Sequence, residues 1–141
     1  MPYTLSVVVP LSFAETMERV RAALTGQGFG ILSESDIRAT FAAKLGSEAA
    51  SALGDYVILG ACNPGLARRA LAAEPELGAL LPCNVVVRRG KDDAETTIDA
   101  IDPLTLAELS DSAQVKAVAD DASTRIRAAL SSIVAATQPA A

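Results

Sequence analysis

Residues 56–73, YVILGACNPGLARRALAA, contain the junction that decides the fold. Residues 56–61 are apolar nearly throughout, which is typical of a central strand. Asn63 and Pro64 then mark a helix start, because Asn is a favoured N-cap and Pro at the first helical position leaves no N–H unpaired. The sequence therefore predicts a strand that passes directly into a helix ending near residue 73, with Cys62 at the junction.

The patterns on either side of this junction predict a mixed order of strands and helices. Ser12 and Glu15 form a capping box ahead of an amphipathic helix. Residues 95–101 alternate polar and apolar, as a half-buried antiparallel strand does, and Asp102-Pro103 ends them. The remaining predicted elements are strands at residues 3–9, 29–35 and 84–89 and helices at residues 13–25, 37–45 and 112–135, with residues 47–54 left unassigned.

The predicted order, β-α-β-α-β-α-β-β-α, ends in a meander followed by a long helix. It predicts an α+β domain: a mostly antiparallel β-sheet with helices packed on one face. We expect a single domain over residues 1–136 and a frayed C-terminal tail at residues 137–141. A chain of 141 residues suits one domain with a proper hydrophobic core.

The composition excludes several classes of protein. The formal net charge is −5 and the basic residues are scattered, whereas a nucleic-acid-binding protein normally has a basic face. No apolar run reaches the ~18 residues of a membrane span, and the first residues lack the basic region of a secretory signal. We therefore predict a cytoplasmic protein that binds neither nucleic acid nor membrane.

The chain has two cysteines and no histidine. Without histidine, Ser-His-Asp and Cys-His catalysis and histidine-based zinc sites are excluded within one chain. Two cysteines in a cytoplasmic protein are expected to be reduced thiols. The chemistry therefore rests on the thiols and on the amides beside them.

Each cysteine is followed at once by an asparagine, in the pairs Cys62-Asn63 and Cys83-Asn84. Cys62 directly precedes the predicted helix, whose N-terminus stabilises a thiolate and offers N–H groups to an anion. Cys62 is therefore the better candidate for a reactive thiol. Cys83 opens the next strand, and antiparallel pairing with the preceding strand would bring the two cysteines close together.

Other interpretations of these residues remain open. A free cysteine often behaves as a small buried hydrophobe, so both thiols could simply be packed. Cys62 and Cys83 could also hold a metal, although a closed zinc site needs four ligands. Asp99 and Asp102 could bind a cation, but solvated turn acids are commoner. The glycine cluster at residues 26–30 follows a helix, so it does not predict a nucleotide loop.

Residues 55–88, DYVILGACNPGLARRALAAEPELGALLPCNVVVR, resemble the signature of domain-of-unknown-function family 302. The shared positions are residues 56, 58–64, 70–71, 76, 78 and 80–85. The resemblance implies a compact α+β domain that forms a homodimer, and it leaves the activity and any cofactor unknown. A signature built on both Cys-Asn pairs suggests that the thiols are used.

We therefore expect a small-ligand-binding module in which Cys62, Asn63, Pro64, Cys83 and Asn84 line one pocket. The amides would orient a small anion, a sulfur species or a soft metal such as Cu(I). One alternative is an enzyme with Cys62 as nucleophile, Cys83 as resolving thiol and an acidic residue as base. The other alternative is a dimeric structural or interaction protein with packed cysteines.

Overall fold

The computed structural model describes residues 2–137. Its strands are β1 (Thr4–Val9), β2 (Gly30–Asp36), β3 (Asp55–Cys62), β4 (Cys83–Arg89) and β5 (Thr96–Ile101). They form one sheet in the order β1-β5-β4-β3-β2, and every neighbouring pair is antiparallel. The edges of this sheet are therefore β1 and β2, and the two strands that carry cysteines are adjacent inside it.

The helices confirm the predicted α+β class and add two short elements. They are α1 (Phe13–Gly26), α2 (Ile37–Leu45), α3 (Ser47–Leu53), α4 (Pro64–Ala73), α5 (Leu104–Leu109) and α6 (Ala113–Thr137), with a 3-10 helix at Pro75–Leu80. The predicted order omitted α3 and α5. Both are too short to show a clear helical repeat, and α3 lies in the Ala-rich stretch left unassigned.

The Asp102-Pro103 break is the start of α5. The Asp102 carboxylate accepts a hydrogen bond from the N–H of Leu104, the first residue of this helix, at 3.0 Å. Asp102 is buried, and it also accepts from the Ser123 hydroxyl at 3.1 Å and from Arg127 at 3.3 Å, both on α6. This carboxylate therefore links the end of β5 to the middle of the long helix. These hydrogen bonds give Asp102 a structural role that does not involve a bound cation.

The predicted C-terminal tail and the predicted absence of a membrane span can both be compared with the described residues. Thr137, assigned to the predicted tail, is the last residue of α6, and the rest of that tail, residues 138–141, lies outside the described residues. Across residues 2–137, none of the helices combines the length and the apolar character needed to cross a membrane.

The core lies between one face of the sheet and the helices α1 and α6. Because side chains alternate along a strand, β3 presents one set of residues to the helices and the other set to the opposite face. The largest group of buried apolar residues includes Val57, Leu59, Ala61, Val85, Val87 and Ile98 from the sheet, Val20 and Leu24 from α1, and Ile126, Ala129, Leu130 and Ile133 from α6.

The opposite face of the sheet is left partly open. Asp99 lies there between Ser6, which donates a hydrogen bond to it at 2.6 Å, and Arg88, which pairs with it at 2.7 Å. Val8 on the same sheet is 53% exposed. This face therefore mixes a polar cluster with apolar side chains that the described chain does not cover.

Gly54 connects α3 to β3 in a conformation that other residues rarely adopt. Its φ is +81°, and a Cβ placed there would lie 2.5 Å from the carbonyl oxygen of Arg89 and 2.9 Å from the backbone nitrogen of Lys91. Both obstacles are backbone atoms, which cannot rotate away. The close approach of this turn to the end of β4 therefore requires glycine.

We expect Gly54→Ala to lower the free energy of unfolding by at least about 2 kcal/mol, because it combines backbone strain with a steric clash. Urea unfolding followed by circular dichroism measures this change. Gly26→Ala is the matched control: a Cβ there meets nothing within 4 Å, and Gly26 is the last residue of α1. We expect the control to change stability by less than about 1 kcal/mol. Equal effects of the two substitutions would contradict this account of the turn.

Candidate functional site

The pairing of β3 with β4 brings the two cysteines to the same end of the sheet. Ala61 lies opposite Cys83 in the antiparallel register, and Cys62 is the next residue, at the end of β3. Cys83 is the first residue of β4 and faces the helices, as Ala61 does. The strand end that precedes α4 and the strand start that follows it are therefore neighbours.

Asn63 forms the link between β3 and α4. Its Oδ1 accepts a hydrogen bond from the Leu66 N–H at 3.2 Å, and its backbone carbonyl accepts from the Ala67 N–H at 2.9 Å. Pro64 occupies the first helical position. The predicted helix start is thus present with its cap, and the cap holds the Asn63 side chain in one place.

Gly28 makes room for the Asn63 side chain. The glycine has a φ of +85°, and a Cβ placed there would lie 2.9 Å from Asn63 Nδ2. The turn after α1 therefore approaches the start of α4 closely, and a side chain at residue 28 would push against the capping amide. Arg125 on α6 also reaches this turn, because it donates a hydrogen bond to the Gln27 carbonyl at 3.2 Å.

A cavity of about 40 Å³ lies beside this junction, between the ends of β3 and β4 and the helices α4 and α6. Drug-sized ligands normally occupy pockets of roughly 300–1,000 Å³, so this space suits a molecule of a few non-hydrogen atoms. Its lining is formed by Phe29, Ala61, Cys62, Asn63, Leu66, Ala67, Ala70, Leu77, Leu81, Pro82, Cys83, Leu106, Val115, Val118, Ala119 and Ala122.

Three of the five residues predicted to share a pocket line this cavity: Cys62, Asn63 and Cys83. Cys62 and Asn63 are half-buried, whereas Cys83 is 8% exposed. Asn84 is exposed and follows Cys83 along β4, so its side chain lies on the opposite face of the sheet. Pro64 is exposed on α4 and is not part of the lining.

Most of the cavity wall was not predicted as a site. Val115, Val118 and Ala122 come from the long helix, which was predicted only as an element that packs on one face of the sheet. Leu106 comes from α5, a helix that the sequence did not reveal. The glycine cluster was a usable signal for Gly28 only as a helix end, because glycine supplies the positive φ that the residue after a helix often needs.

Burial dominates the acid–base chemistry of Cys83. Desolvation of the thiolate, with a smaller contribution from the nearby Cys62, raises the pKa of Cys83 from 9.0 to about 11. The Cys83 thiol is therefore protonated and uncharged at neutral pH.

The metal interpretation finds no further ligand near the two thiols. Among residues 2–137, no group of three or more His, Cys, Asp or Glu residues is arranged to hold a metal ion. Cys62 and Cys83 could therefore offer at most a two-sulfur site from this chain, and a closed zinc site needs four ligands. Asp99 and Asp102 have the hydrogen-bonding partners described above, away from the cavity.

The raised pKa of Cys83 predicts that this thiol makes stability depend on alkaline pH. Below pH 9 the thiol is protonated in both states, so its contribution is constant. Between pH 9 and 11 the unfolded chain loses the proton while the folded chain keeps it, so the free energy of unfolding falls by up to about 1.4 kcal/mol per pH unit. We expect this component to disappear in Cys83→Val.

Urea unfolding of both proteins under reducing conditions at pH 8, 9, 10 and 11 checks this expectation. The relevant quantity is the unfolding free energy of the wild type minus that of the variant, because other titrating groups cancel in the difference. Cys62→Val is the control, and it should retain most of the pH dependence. A wild-type-minus-Cys83→Val difference that stays flat from pH 8 to 11 would show that burial does not hold this proton.

Comparison with known proteins gives a family and a related structure. The family described as "Domain of unknown function DUF302" matches residues 5–133. A similar solved structure is the crystal structure of an uncharacterized conserved DUF302 protein from Bacillus stearothermophilus, with 29% sequence identity and a TM-score of 0.79 over 93% of this chain and 98% of that chain. No curated protein matches. The chain belongs to the DUF302 family.

Proposed function

We propose that the cavity is a binding site for a small ligand, with Cys62, Asn63 and Cys83 as its polar members. The observation that carries this proposal is that all three line a single cavity. A protein interior is normally packed as densely as an organic crystal. If the two cysteines served only to fill the core, we would not expect a space of about 40 Å³ beside them. The sequence suggested an anion, a sulfur species or a soft metal as the ligand.

Two observations favour binding over thiol catalysis. An enzyme with Cys62 as nucleophile would need an acidic residue as base, yet no Asp or Glu among residues 2–137 lines the cavity. A resolving cysteine must attack as a thiolate, whereas the pKa of Cys83 is raised to about 11. The proposal therefore assigns the thiols to the binding surface. It includes a cytoplasmic location, where both thiols stay reduced.

We also propose that the protein acts as a homodimer, because helix α2 has no buried face in the single chain. Helix α2 has nine residues and none of them is buried, although a helix this short needs tertiary packing to be stable. Leu45 on α2 is 68% exposed and Leu32 on the adjoining edge strand β2 is 67% exposed. A second copy laid against α2 and β2 would cover these side chains and the strand edge.

For the binding site, we expect a suitable small ligand to protect Cys62 from alkylation, because Cys62 contributes to the cavity lining and is the more exposed of the two cysteines. Iodoacetamide labelling at pH 8, followed by mass spectrometry, measures the rate for each cysteine. The probes are phosphate, dimethyl sulfide and Cu(I), one for each class of ligand. At least one probe should slow alkylation of Cys62 by about fivefold or more at saturation, since a bound molecule excludes the reagent.

The controls for this experiment are two alanine substitutions on α4. Ala67 lines the cavity, so Ala67→Leu should fill it and abolish protection. Ala72 is exposed on the same helix and is not part of the lining, so Ala72→Leu should leave protection unchanged. If no probe protects Cys62, or if Ala67→Leu is protected as well as the wild type, the proposed site is wrong.

For the dimer, we expect Leu45→Glu to shift the protein to monomers, because it places a charge in the proposed interface. Leu109→Glu is the matched control, since Leu109 is 67% exposed but lies on α5. Sedimentation velocity over a range of concentrations measures the association. A dissociation constant that rises at least about tenfold for Leu45→Glu alone supports this interface. A wild-type protein that stays monomeric at all concentrations contradicts it.

A further inference from the structure

The cavity has no charged wall. Among residues 2–137, its lining contains no Asp, Glu, Lys or Arg, and the polar residues that contribute to it are Cys62, Asn63 and Cys83. Arg68 and Arg69 lie exposed on α4 and take no part in the lining. A charged ligand entering the cavity would lose its hydration without gaining an oppositely charged partner. This desolvation costs several kcal/mol or more.

The start of α4 offers little to an anion. The first helical residue, Pro64, has no N–H, and the Leu66 N–H already donates to Asn63 Oδ1 at 3.2 Å. The remaining position of the first three is Gly65, which is exposed and outside the lining, so its N–H does not face the cavity wall. The cap that positions Asn63 thus uses the N–H group that an anion would need.

The buried thiol of Cys83 is unsuited to a cation. Cys83 is buried among apolar neighbours, and burial raises its pKa, so its thiolate is disfavoured at neutral pH. A Cu(I) ion held by two thiolates would carry a net negative charge into this apolar space. The apolar lining instead suits an uncharged ligand, which would contact Phe29 and the aliphatic residues of α6.

We propose that the ligand of this cavity is an uncharged, chiefly apolar molecule of a few non-hydrogen atoms, of the size and polarity of a small thioether. This inference rests on the proposed function, because it names the class of ligand for the same site. Anions and soft metal ions, two of the three classes that the sequence suggested, are then disfavoured: the lining holds no positive charge for an anion, and among residues 2–137 no third ligand joins the two cysteines around a metal ion. Binding comes from apolar contact, and the cavity volume selects the ligand by size.

The test compares probes of similar size and different charge. Dimethyl sulfide is neutral, trimethylsulfonium adds one methyl group and a positive charge, and thiocyanate is a small anion. Each is titrated into uniformly ¹⁵N-labelled protein, together with Cu(I) under reducing anaerobic conditions. The readout is the amide shifts of lining residues, with Leu66 and Val118 as reporters. We expect saturable shifts with dimethyl sulfide and affinities at least about tenfold weaker for all three ions.

Substitutions that fill the cavity test whether dimethyl sulfide binds inside it. Ala67→Leu and the smaller change Ala119→Val both add bulk to the lining, so each should weaken dimethyl sulfide at least about tenfold. The second variant keeps the test intact if the first does not fold. Ala72→Leu on α4 and Ala128→Val on α6 are exposed controls, and both should bind as the wild type does.

The outcomes separate the inference from the proposed function. If an ion shifts the same amides at least as tightly as dimethyl sulfide, and the cavity-filling variants block it, the ligand class is wrong but the site stands. If none of the probes shifts the lining amides, both the ligand class and the site are wrong. If dimethyl sulfide binds equally well to the filled variants, it binds elsewhere and the inference is wrong.

Discussion

The register between β3 and β4 is the constraint on which the candidate site depends. It holds Ala61 opposite Cys83 and leaves Cys62 at the strand end, where the chain enters α4. A slip by one residue would turn every side chain of β4 to the other face, because alternation along a strand has a period of two. Cys83 would then face away from the helices and Asn84 would face them. The buried Val85 and Val87 oppose such a slip, since they would leave the core.

Asn63 and burial together decide what chemistry this register permits. A helix start favours anions and thiolates, and the sequence pointed to both. In the folded chain, the Asn63 side chain occupies the donor of Leu66, and the surroundings of Cys83 are apolar enough to raise its pKa. Desolvation therefore keeps the Cys83 thiol protonated, and this thiol belongs to a largely apolar surface. Without the cap at residue 63, the Leu66 N–H would have no side-chain acceptor and could donate to an anion.

The sequence revealed the features that depend on short-range patterns. The strand before Cys62 and the cap at Asn63 were predicted because a few consecutive residues determine both. The apolar wall was not predicted, since it depends on α6, whose Val115 and Val118 lie more than fifty residues from Cys62 in the chain. Asn84 was grouped with Asn63 because both follow a cysteine. Only Asn63 lies beyond its strand, and strand alternation turns Asn84 to the opposite face.

The two roles of Asn63 limit how such a protein can diversify. The same side chain closes the first turn of α4 and borders the hollow, and Gly28 leaves it little freedom to move. A substitution at residue 63 would therefore change the cavity wall and weaken the start of α4 in the same step. The aliphatic positions of α6 can vary the wall more independently, because one small side chain can replace another there without removing the hydrogen bond that caps α4.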